Sequence, residues 1–196
     1  MSEQDYREKI DKYLVDYFYI DREVWSTDKT SRIDYVLECK ESCVLFGLEV
    51  KDKTIRRGAQ VGEYLKQALR YSDLEFDSKF GVKKIPIFIS PAISSIYREV
   101  VSGSKRIIDG DEYWQSYHKE NSKHSNVNSL IGSFNVGEIR TISEINYYYF
   151  AFIFKNKLIW RSEKYYTELP KYKPYIYPRL NEGNYKEMLR ILKIQP

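Results

Sequence analysis

Apolar residues recur at Tyr6, Ile10, Tyr13 and Leu14. This i, i+4, i+7, i+8 spacing lines one face of a helix and predicts one over residues 3–15. Ser2, with Asp5 three residues on, offers an N-terminal cap. The period then changes. Tyr17–Trp25 and Arg32–Glu38 are rich in aromatic and β-branched residues and flank the polar Ser26–Ser31 stretch, a strand–turn–strand pattern. Val44–Lys51 follows the polar Lys40-Glu41-Ser42 turn and stays apolar until its end, as a central strand covered on both faces does.

A second helix is predicted from Ala59 to about Ser72. Val61, Leu65, Ala68 and Leu69 form its apolar stripe, with Glu63, Lys66 and Arg70 on its solvated back. Ile85–Ser90 reads as a fourth strand. Ser90-Pro91 then opens a helix carrying Ile93, Ile96, Tyr97, Val100 and Val101 inward. The order over residues 1–101 is thus helix, three-strand meander, helix, strand, helix. That is an α/β arrangement in which helices cover both faces of a sheet.

Residues 102–196 read as an α+β extension packed on this core as one domain. Residues 102–133 are polar and weakly patterned, a loop-rich insertion. Tyr147–Phe154 and Lys157–Trp160 form a hairpin turning at Lys155-Asn156. Pro170, Pro174 and Pro178 punctuate an extended basic-aromatic segment. Asn184-Tyr-Lys-Glu187 starts a last helix carrying Met188, Leu189 and Leu192. No repeat or low-complexity tract is present.

A chain of 196 residues with 42% hydrophobic content suits one sizeable packed domain. The net charge of +4 is compatible with a nucleic-acid partner without demanding one. Cys39 and Cys43 read as reduced thiols of a cytoplasmic protein. His118 and His124 do not complete a familiar zinc spacing with them. The polar N-terminus does not resemble a signal peptide. The longest apolar run is strand-sized, so no membrane span is expected.

The chemistry gathers on two strands. Alternation along Gly47-Leu48-Glu49-Val50-Lys51 puts Glu49 and Lys51 on one face and Val50 on the other. Asp34 stands among apolar neighbours in the preceding strand, a costly placement unless paired or bound to a cation. If the two strands form a hairpin, Asp34 faces Glu49. Two carboxylates beside a lysine suit a hard divalent cation that polarises a phosphate and acidifies its water. The lysine would position that water or offset developing charge.

Asp34 on one strand and Glu49-Val50-Lys51 on the next resemble the signature of the PD-(D/E)XK nuclease superfamily, the restriction-endonuclease-like fold. The resemblance covers roughly residues 1–100. Ile33 stands where the family's name-giving proline would be. It implies that Asp34, Glu49 and the Val50 carbonyl bind Mg2+, or Mn2+ in its place, while Lys51 assists the attacking water. Gln60, Tyr64, Gln67 and Tyr71 fall in one stripe on the second helix. Gln60-Val-Gly-Glu-Tyr64 and Gln67-Ala-Leu-Arg-Tyr71 both resemble the Gln-x-x-x-Tyr motif of RecB-type members, so Gln60 and Gln67 are both candidates for the catalytic constellation. Many members also carry a glutamate on the first helix; Glu8 lies opposite the apolar stripe, which leaves Glu3 and Glu23.

Simpler readings stand beside these. Glu38-Cys-Lys40 repeats the acid-x-Lys triplet but runs into a polar turn as a solvated pair. Arg56 and Arg57 are placed to meet phosphates, with Tyr64 and Tyr71 as further nucleic-acid contacts; a solvated basic turn is the plain alternative. The same pair of readings applies to Lys105-Arg106. Tyrosines and lysines interleave over Tyr165–Tyr177, suited either to stacking on bases or to packing on the core. The expectation is a Mg2+-dependent deoxyribonuclease, with a homodimer left open. Its rivals are a non-cutting DNA-binding protein of the same fold and a protein-interaction module.

Overall fold

The computed structural model describes residues 3–51, 58–90, 106–108, 111–113, 134–144, 147–163, 165–166 and 179–195. Its organising element is the strand β3 (Leu45–Val50), buried at every position. Phe46, Leu48 and Val50 enter one apolar cluster while Leu45 enters the other. This division follows from the two-residue period of a strand.

Before β3 come the helix α1 (Glu3–Leu14) and the strands β1 (Phe18–Trp25) and β2 (Arg32–Cys39). The three strands form an antiparallel meander. After β3 come the helix α2 (Gly58–Ser72), a small hairpin of β4 (Glu75–Ser78) and β5 (Gly81–Lys84), and then β6 (Ile87–Ser90). Strand β6 returns parallel to β3. A second hairpin joins β7 (Arg106–Ile108) to β8 (Asp111–Tyr113).

The sheet continues through β9 (Gly137–Glu144), β10 (Tyr147–Phe154), β11 (Lys157–Arg161), β12 (Tyr165–Tyr166) and β13 (Arg179–Leu180). Its nine strands run β1-β2-β3-β6-β9-β10-β11-β13, with β12 paired to β10. Among the described residues only the β3–β6 and β6–β9 pairings are parallel. The chain is a mixed α/β fold with a mostly antiparallel sheet. The helix α3 (Glu182–Leu192) closes the described residues.

Ile10 and Leu14 of α1 and Met188, Leu189 and Leu192 of α3 share one cluster with Phe46, Phe88, Phe152 and Trp160. Leu65, Ala68 and Tyr71 of α2 join Phe76, Ile87 and Ile89 in the other. The strands lie between two helical layers, the packing that lets each amphipathic element bury its apolar side. Gly47 leaves room for its neighbours, since a Cβ would come within 2.6 Å of the Ile87 Cδ1 and 2.9 Å of the Ile33 Cδ1, which would have to shift.

Several expectations are corrected. The fourth strand begins at Ile87, not Ile85, and the β4–β5 hairpin precedes it. Its alternation, with Phe76 and Ser78 inward and Glu75 and Asp77 outward, carries too little apolar character to announce a strand. Strand β9 also lacks a plain pattern, since Glu138 is buried beside Ile139. The last helix starts at Glu182, capped by Asn181, whose Oδ1 accepts the Asn184 N–H at 3.1 Å. Asn184 instead donates to the Leu158 carbonyl, and Glu187 pairs with Lys157.

Lys155 and Asn156 both take positive φ, 45° and 62°, the left-handed geometry a tight two-residue hairpin needs. The helix expected after Pro91, the Ser2 cap expected for the first helix, Arg56, Arg57, Lys105, His118 and His124 lie outside the described residues. So does most of Tyr165–Tyr177. No helix among the described residues is long and apolar enough to cross a membrane.

Candidate active site

Main-chain pairing of β2 with β3 runs from Glu38–Leu45 to Tyr35–Leu48. One step further, Asp34 and Glu49 lie side by side. The Val50 N–H donates to Asp34 Oδ2 at 2.7 Å, so a side-chain carboxylate takes over where the ladder stops. On its other flank, β1 and β2 pair at Arg22–Tyr35 and Val24–Ile33, which sets Glu23 beside Asp34. Three carboxylates therefore stand in one row across three strands.

Each has cationic company. Arg7 Nη2 donates to Asp34 Oδ1 at 2.5 Å and its Nη1 to Glu23 Oε1 at 2.8 Å. Arg32 Nε lies 2.8 Å from Glu23 Oε2. Lys51 Nζ donates to Glu49 Oε1 at 2.5 Å and sits 5.0 Å from the Tyr64 ring centre. Aromatic faces attract cations, so Tyr64 helps fix the ammonium beside Glu49. Lys51 is itself anchored through its N–H to the Ser90 carbonyl of β6, 2.7 Å away.

Glu49 is 4% exposed and Asp34 8%. Burial raises both carboxyl pKa values, because a charge is costlier away from water. For Asp34 the Val50 N–H and Arg7 pull the other way. Glu49 is pushed up to about 7, by burial first and by the Asp34 charge second, against Lys51 and the Asp34 amide. Its Oε2 is buried without a hydrogen-bond partner among the described residues. An unsatisfied carboxylate oxygen is expensive unless a further group completes it.

The chain matches no protein-family model, no curated protein and no solved structure. The site must be read from its own chemistry.

Gln67 Nε2 donates to the Tyr71 hydroxyl at 2.6 Å, and that hydroxyl donates to the Arg32 carbonyl at 2.8 Å. The pair ties α2 to β2 two residues from Asp34. Tyr71, expected as a nucleic-acid contact, is buried with its ring edge on Phe76; here it buttresses β2. Gln60 lies in the first turn of α2, and its side chain falls outside the described residues. Glu8 is exposed and accepts from Gln4. Of the acids weighed beside the triad, Glu23 is the one brought to it; the side chain of Glu3 is outside the described residues.

Arg7 was not anticipated. It falls at i, i+3, i+7 with Ile10 and Leu14, the buried residues of α1. A cation on a helix's inward face was the signal available in the sequence, since such a charge needs a buried partner.

Among the described residues no three His, Cys, Asp or Glu side chains form a ready-made cage for an ion. A hard divalent cation such as Mg2+ binds through one or two carboxylates and keeps several waters. The Glu49 Oε2, without a partner among the described residues, and the adjacent Asp34 carboxylate are oxygen donors of the kind such an ion takes.

Proposed function

We propose that this chain is a metal-dependent nuclease of the PD-(D/E)XK type, with a restriction-endonuclease-like core, hydrolysing phosphodiester bonds in DNA. One observation carries the reading. Glu49, buried, with one oxygen lacking a partner among the described residues and its pKa raised, sits between Asp34 and Lys51. Strongly shifted carboxylates of this kind concentrate at functional sites. The succession of α1, the β1–β3 meander, α2 and a parallel β6 also supports it.

Asp34, Glu49 and the Val50 carbonyl would hold Mg2+ or Mn2+. Such an ion, when bound, supplies a Lewis acid for the phosphate and a more acidic water. Glu49 would bind in its ionised form, its charge offset by Lys51. The Lys51 ammonium, poised between Glu49 and Tyr64, would orient the attacking water and offset charge on the pentacovalent phosphate. Gln67 and Tyr71 would keep Asp34 in register by holding β2 against α2. A cytoplasmic location and an optional pairing of two copies complete the proposal.

The test is incubation with linear, circular and single-stranded DNA under Mg2+, with EDTA as control. Wild type is expected to cut only with the metal, and Lys51→Ala and Asp34→Ala to lose at least about a hundredfold in rate, the scale of removing one electrostatic group from a transition state. Equal cutting by variants and wild type would remove these residues from the mechanism. A second reading, a DNA-binding protein of this fold that does not cut, draws on Asp34, both of whose oxygens already accept hydrogen bonds. It predicts salt-sensitive DNA retention without cleavage.

A further inference from the structure

Among the described residues, three acids and three bases meet at the site. Glu23, Asp34 and Glu49 face Arg7, Arg32 and Lys51, linked by ion pairs at 2.5–2.8 Å. Among the described residues each of the three carboxylates already has a cationic partner, and Arg7 stands on the carboxylate a divalent ion would share. A guanidinium does not shed its proton at accessible pH. Its positive charge therefore competes with the ion for Asp34 for as long as it stays in place.

The geometry allows Arg7 to move. The Arg7 side chain is 26% exposed, so its head group has a way toward solvent. Its second anchor, Glu23, is 40% exposed and belongs to β1 rather than to the two acids proposed as ligands. Glu23 also has a positive φ of 54° in mid-strand, a conformation non-glycine residues hold only when the surroundings enforce it. Released from Asp34, Arg7 would remain tethered within reach of the site. A planar guanidinium is the side chain best matched to a phosphate.

We propose that Arg7 is an exchangeable cation: it holds Asp34 in the metal-free protein, yields that carboxylate to a divalent ion, and turns to the substrate phosphate. Arg7 is thus a positioning residue for the ion and a binding residue for DNA. The inference rests on the nuclease reading above.

The experiment is calorimetric titration of the full chain with Mn2+ alone, without DNA. Arg7→Gln is expected to bind Mn2+ about ten-fold more tightly than wild type, the scale of one charge-assisted hydrogen bond no longer competing. Arg7→Lys should fall between the two. DNA binding by Arg7→Gln should weaken and lose about one unit of salt slope. Should Arg7→Gln not fold, NMR of isotope-labelled arginine in wild type decides: Mg2+ should release the restrained Arg7 guanidinium signals. Equal Mn2+ affinity across the three proteins, or guanidinium signals unmoved by Mg2+, overturns the exchange and leaves the nuclease reading standing. Absence of divalent binding by every variant and wild type overturns both.

Discussion

Glu49→Gln separates a functional carboxylate from a structural one. Burial and the neighbouring Asp34 lift the Glu49 pKa from an ordinary 4.5 to about 7. Unfolded, the same group ionises near its ordinary value. Folding therefore opposes ionisation, so the sign is the reverse of a salt-bridged acid. Nothing is lost below the unfolded pKa; stability falls as pH rises from there to the folded pKa, then levels off. At about 1.4 kcal/mol per unit, the fall between pH 5 and pH 8 is roughly 2–3 kcal/mol. Glutamine keeps the shape and can still accept from Lys51, but cannot ionise. The variant should match wild type at pH 5 and exceed it at pH 8, by about 5–10 °C in melting temperature for a chain of this size. Thermal or urea unfolding of both proteins across that range measures it. Cleavage by the variant should vanish while its stability rises. Parallel pH profiles for the two proteins would mean that Glu49 ionises as freely folded as unfolded, and the burial of its carboxylate away from water would then be wrong.

Two further substitutions probe the supports of the site. Tyr71→Phe removes the hydroxyl that joins Gln67 to the Arg32 carbonyl; a loss of about 1–2 kcal/mol in urea unfolding is expected, with a fall in cleavage rate because β2 is less firmly held. A Cβ on Gly137 would meet the Phe88 ring at 2.3 Å, and that ring is wedged against Phe46 and Phe152. Gly137→Ala should cost about 1–3 kcal/mol, as overpacking does; an unchanged unfolding midpoint would refute the close approach of β6 and β9.

What the sequence disclosed was local. The meander, α1, α2 and the Lys155-Asn156 hairpin each announce themselves through a period or a turn that neighbouring residues define. The side-by-side placement of Asp34 and Glu49 was also readable, because alternation and a short connection constrain register. What stayed hidden depends on distant partners. Glu138 in β9 is buried with Arg140 Nε and Nη2 on its Oε2, so an interior strand carries charge and lacks an apolar signature. The β4–β5 hairpin is mostly exposed and serves another strand, with the Lys79 N–H on Asp21 and its Nζ on the Ile20 carbonyl. Arg7 and Asp34 are 27 positions apart, and only the packing of α1 across the strands joins them. That contact also decides how Asp34 is compensated, which a motif match is blind to.

Ile10 and Leu14 share an apolar cluster with Met188, Leu189 and Leu192. The interior thus includes side chains separated by almost the whole polypeptide. During synthesis a ribosome must deliver α3 before the nascent chain can close this layer. Until then Phe46 and Phe88 lack their aromatic neighbour Phe152, and Phe18 lacks Trp160. A fragment ending near residue 101 would keep the acids and the lysine yet expose the edge of β6 and half an aromatic interior. Such a fragment should be recovered as aggregate or cleared by proteases, so the row of carboxylates is not a portable cassette.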